Sequence, residues 1–96
     1  MAKSIVAFVR AKEGQEAGFE EAALGLAAAV NANEEGCLLY TLSKGSEPLT
    51  YVFMERYRDE AAVAAHQSSD HMKTFGRQMG AFMDGCPDIM YMEELG

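Results

Sequence analysis

The chain is short of positive charge. Against 15 Asp and Glu it carries only eight Lys and Arg, a formal net charge of −7 over 96 residues. No Lys/Arg cluster with interleaved aromatics occurs, which excludes a polyanionic nucleic acid and disfavours an anionic membrane surface as partners. Long apolar runs are also missing. The run Ile5 to Val9 ends at Arg10 and is too brief for a signal segment or a spanning helix. A soluble, cytoplasmic protein is therefore expected. Cysteine is scarce: Cys37 and Cys86 have no CxxC neighbour and give no disulfide framework, so both are expected as buried thiols. No nucleophile triad, phosphate loop or dinucleotide fingerprint is present, and a flavin or nicotinamide would need a binding element for which the chain lacks room.

What is abundant is apolar material. Hydrophobic residues make up 49% of the chain, with seven Met, five Phe and four Tyr. A domain of this size buries only about 60–65% of the surface its unfolded chain exposes, so part of that material should face a partner or a ligand. The whole chain, 1–96, is expected to be one domain.

Residues 3–10 are β-branched and apolar nearly throughout and predict a strand. From Gln15 to Asn33, Phe19, Ala22, Leu26 and Ala29 recur at helical spacing opposite Glu16, Glu20 and Glu21. Gly18 and Gly25 inside that helix either weaken it or mark close approach to another element, and Gly36 suits a left-handed cap after it. Strands are expected at 37–43 and 49–57, joined by the turn Lys44 to Pro48. Asp59 can cap a short helix over 60–66, and Ser69 a second over 70–83, where Met72, Phe75, Met79 and Phe82 recur at helical spacing. A last strand is expected over 86–95, with Pro87 near its start. The order βαββαβ predicts an α+β, ferredoxin-like fold, a four-stranded antiparallel sheet with helices on one face. Both faces of the central strands are apolar: Val6, Phe8, Val52 and Met54 on one, Ile5, Ala7, Val9, Tyr51 and Phe53 on the other. The uncovered face predicts a homodimer packed sheet to sheet.

Chemistry-bearing groups gather between Met54 and Phe75. Glu55 shares a strand face with Tyr51, Phe53 and Tyr57, aromatic surroundings that disfavour its charged form. It suits a general base or a group orienting substrate; the structural alternative is an acid paired with an arginine such as Arg10. His66 lies on the apolar side of its helix, either as a packed core residue or as a proton acceptor at the mouth of a cavity. His71 lies in the first turn of the next helix, where the helix dipole opposes an imidazolium. The two histidines with Asp70 form no recognised ligand frame, so no metal site is expected. The Met72 and Phe75 stripe suits core or the wall of a flexible apolar pocket.

The segments EEGCLLY, then PLTYVFMERY, then AAVAAH-x4-HMK, in this order, resemble the antibiotic biosynthesis monooxygenase family over nearly the whole chain. The resemblance implies a ferredoxin-like fold, two subunits forming a dimeric α/β barrel, and a pocket between sheet and helices. It also implies the quinol monooxygenase type of activity, oxidation of a hydroquinone or polycyclic phenol by O2 without metal or flavin. On that basis Glu55, His66 and His71 are the catalytic candidates, with Tyr57, Phe53, Tyr51, Met72 and Phe75 lining the substrate. The polyketide-modifying and haem-degrading members commonly have a tryptophan where this chain, which has none, places His66. Haem degraders have an iron-ligating histidine further along, where this chain has Gly76, so haem degradation is not expected. A non-catalytic small-molecule binding protein, and an isomerase or hydrolase of a small polar metabolite, are alternatives on the same fold.

Overall fold

The computed structural model describes residues 1–96. Four strands, β1 (Lys3–Arg10), β2 (Cys37–Lys44), β3 (Thr50–Tyr57) and β4 (Asp88–Glu93), form one sheet in the order β2-β3-β1-β4. Every neighbouring pair is antiparallel, with Ile5 opposite Glu55 on one side and Tyr91 on the other. Three helices, α1 (Glu16–Asn33), α2 (Glu60–Gln67) and α3 (Asp70–Gly80), complete a ferredoxin-like α+β fold. None is long and apolar enough to cross a membrane.

The period-two alternation of the strands decides which side chains the helices cover. Ile5, Ala7 and Val9 of β1 and Tyr51, Phe53, Glu55 and Tyr57 of β3 are buried, while their alternates are not. Phe19, Ala22, Ala23, Leu26 and Val30 of α1 close over that face. The two α1 glycines mark close approach: an added Cβ would come within 2.7 Å of the Phe82 ring at Gly18 and 2.5 Å of the Phe75 ring at Gly25.

Several expectations are corrected. Gly36 does not have left-handed backbone. It is needed because a Cβ there would stand 2.6 Å from the Ala62 Cβ, so the chain leaving α1 passes directly under α2. Leu49 precedes β3 rather than opening it, because its φ of 66° turns the chain before the ladder begins. The last helix stops at Gly80; beyond it Met83 bridges to Ala11 and the Lys12 amide donates to the Phe82 carbonyl, so the strand's end claims this backbone. Cys86 is exposed and Cys37 only partly covered, so neither is the fully buried thiol expected.

Candidate active site

The site is built around the junction of α2 and α3. Asp59 caps α2, its carboxylate accepting from the Ala62 amide at 2.9 Å. Ser69 serves both helices: its hydroxyl donates to the His66 carbonyl at 2.7 Å and accepts from the Met72 amide at 3.2 Å. The Ser68-Ser69 break therefore holds the end of α2 in place, and with it the His66 ring. That ring is buried, 5.4 Å from the Tyr40 and Tyr57 ring centroids.

Each of its nitrogens meets a different carboxylate. On one side Nδ1 is 2.9 Å from Glu34 Oε2, and on the other Nε2 is 4.0 Å from Glu55 Oε1. A carboxylate only accepts, so the neutral ring carries its proton on Nδ1, donates it to Glu34, and turns a bare Nε2 toward Glu55. Glu55 Oε1 accepts from the Tyr57 hydroxyl at 2.6 Å. Burial raises the Glu55 carboxyl above its ordinary range, against the opposing pull of the Tyr57 hydroxyl and the His66 ring. Burial, followed by the Glu55 hydrogen bond and charge, likewise drives the Tyr57 phenol far up, so it stays a hydrogen-bond donor.

Glu55 and His66 open onto a cavity of about 470 Å³. Its floor is Ile5, Ala7, Val9, Phe53, Ile89 and Tyr91 of the sheet, its wall Met72, Gly76, Met79 and Met83, and its rim Gly85, Cys86 and Pro87. Apart from the acid, the imidazole, Tyr40 and Gln67, this lining is overwhelmingly apolar, and no arginine or lysine belongs to it.

Of the residues singled out in the sequence, Glu55, His66, Phe53 and Met72 line this cavity. The others lie elsewhere. Tyr57 is fully buried behind Glu55, and Tyr51, two positions the other way from Phe53, sends its hydroxyl to Glu20 near the hairpin end. Phe75 lies over Gly25, because α3 turns that face toward α1. His71 lies in a second cleft with Glu34, Gly36, Cys37 and Arg58, and its Nε2 meets the same Glu34 oxygen that receives His66. Glu55 is paired with Tyr57 and His66, not with Arg10, whose partner is Asp84.

Glu34 is the participant that sequence reasoning missed. It follows α1 in extended conformation, with its amide still bonded to the Val30 carbonyl, and its side chain is only 9% exposed. Its one signal was position, an acid between a helix end and a glycine.

A sheet-and-helix sandwich with an apolar cavity entered by an acid and an imidazole defines a class: small α+β domains suited to binding a small, largely apolar molecule. The family model for antibiotic biosynthesis monooxygenases matches residues 4–78, and the chain belongs to that family. A candidate antibiotic biosynthesis monooxygenase from Caulobacter crescentus shares 35% identity and superposes with a TM-score of 0.95, over 99% of this chain and 91% of that one. PA3566 from Pseudomonas aeruginosa shares 26% identity at a TM-score of 0.87, over 99% and 95% of the two chains. Rv0793 from Mycobacterium tuberculosis shares the fold at 19% identity and a TM-score of 0.92, over 100% and 97%. No match was found among the curated proteins.

Proposed function

We propose that this protein is a monooxygenase that oxidises a hydroquinone or polycyclic phenol with O2, needing neither metal nor flavin, and that it works as a homodimer. The observation that carries this reading is the Glu55 and His66 pair entering a largely apolar cavity large enough for a small aromatic. An electron-rich phenol needs little from its catalyst. Once deprotonated, the phenolate can itself reduce O2, provided the protein removes the proton, holds the ring and keeps water out.

His66 Nε2 takes the phenolic proton, and Glu34 stabilises the imidazolium through Nδ1. The phenolate passes one electron to O2, and the resulting radical pair joins at a ring carbon to form a C–O bond. The proton held on His66 goes to the distal oxygen, the ring C–H proton is lost, and the O–O bond breaks. One oxygen remains on the ring as a quinone carbonyl and the other leaves as water, so four electrons move from phenol to O2. Glu55, whose carboxyl burial raises above its ordinary range, orients the substrate oxygen. Family membership and the 35% identical relative support the same reaction class. An isomerase of a small polar metabolite would call for a polar, arginine-lined cavity, and this lining holds no arginine.

Oxygen uptake by metal-free protein with a panel of reduced quinones and phenols tests the proposal. One or more should be consumed, and His66→Ala should lower turnover on the order of 10²–10⁴-fold. Thermal stabilisation by the panel without any oxygen uptake would instead identify a binding protein.

A further inference from the structure

Glu34, His66 and His71 hold a feature that proton transfer in the cavity does not use. Three ligand atoms, one carboxylate oxygen and two imidazole nitrogens, lie within 4.8 Å of one another. They come from the C-cap position of α1, the end of α2 and the first turn of α3, the last two held together by Ser69. Both imidazoles converge on Oε2 of Glu34, while its Oε1 is buried with no partner. A buried carboxylate oxygen left unpaired carries a desolvation cost, and a charged ligand at this point would remove it. Access exists as well. Glu34 and His71 line the second cleft, of about 370 Å³, which is separate from the cavity that Glu55 and His66 enter.

We propose that Glu34, His66 Nδ1 and His71 Nε2 form a site for one divalent transition ion of the zinc class, loaded through the second cleft. Two neutral imidazoles and a carboxylate suit Zn2+, Co2+ or Ni2+ rather than Ca2+ or Mg2+, which demand mainly oxygen ligands. An ion about 2.1 Å from each donor requires donors roughly 3.4 Å apart, so small ring rotations from the present spacing admit it. A fourth position remains for water or for Glu34 Oε1. The ion would occupy the nitrogen that otherwise donates to Glu34. Neutral His66 would then keep its one proton on Nε2, and the group facing the cavity would change from acceptor to donor. That consequence rests on the reading of His66 as the base; the binding site does not.

The test uses full-length protein stripped with a chelator. Titration with Zn2+ by calorimetry, and with Co2+ by visible absorption, should show one ion per chain, uncompeted by excess Mg2+. Glu34→Gln and His71→Gln should each weaken binding by on the order of 100-fold. Absence of stoichiometric binding, or affinity unchanged in both variants, overturns the site. Ring-nitrogen NMR of the unsubstituted protein covers the case of a variant that does not fold. His66 should show an Nδ1–H tautomer without metal and Nε2–H with Zn2+, and an unchanged pattern overturns ligation by Nδ1. Oxygen uptake with an accepted substrate should fall when Zn2+ is bound. If zinc binds and moves the tautomer while turnover is unchanged, the base assignment fails and the metal site stands.

Discussion

Glu34 gives His66 its direction. Without an acceptor at Nδ1 the imidazole could carry its proton on either nitrogen, and a base facing the cavity would exist for only part of the time. Nothing in the local sequence marks this acid, because its two partners arrive from residues 32 and 37 positions later. Glu55 and His66, by contrast, were visible: an acid among aromatics on a strand face and a histidine on the apolar side of a short helix. The cysteines differ in the same physical way. Cys86 is exposed on the cavity rim, whereas burial pushes the Cys37 thiol up to about 11. At pH 8 a thiol with that pKa is roughly 0.1% thiolate. Iodoacetamide should therefore label one cysteine of the native protein rapidly, at Cys86, and reach Cys37 only on unfolding. Equal rates at both, read by mass spectrometry, would contradict the packing around Cys37.

At the scale of elements, the placement of α2 decides where His66 stands, and Gly36 decides the placement of α2. An added Cβ at Gly36 would meet the Ala62 Cβ, an atom fixed to the helix backbone that cannot rotate aside. Gly36→Ala should force α2 outward and cost about 1–3 kcal/mol, with each kcal/mol lowering Tm by about 4–8 °C in a domain of this size. Adding Ala62→Gly should recover part of the loss even though glycine is a poor helix former. An unchanged Tm in Gly36→Ala would remove the contact from the account. The strands and helices themselves were legible from β-branched apolar runs, from helical spacing and from the caps Asp59 and Ser69. Their ends were less so: Leu49, the residues after Gly80 and the start of β4 depend on what the backbone meets across the fold, not on local preference.

Over the whole molecule, much of the excess of apolar residues lies exposed on the sheet face opposite the helices. Phe8, Leu39, Met54, Met90 and Met92 all lie on it and are 36–56% exposed. Their strands form a continuous sheet, so this is one patch, and a second copy of the same sheet is a self-complementary cover. Sedimentation at micromolar concentration should give a dimer. Met54→Glu, with a charge at the centre of the patch, should give a folded monomer, and a wild-type monomer would refute the assembly. By itself the sequence determined the order of elements, the apolar character of both sheet faces, and the pairing of Glu55 with aromatic neighbours, because alternation and capping are local properties. Only the tertiary structure decided that Tyr51, Tyr57 and Phe75 stand away from the cavity, and that His71 belongs to a second cleft. It alone brought Glu34 to both histidines, because residues distant in sequence meet only where the ends of α1 and α2 and the start of α3 converge.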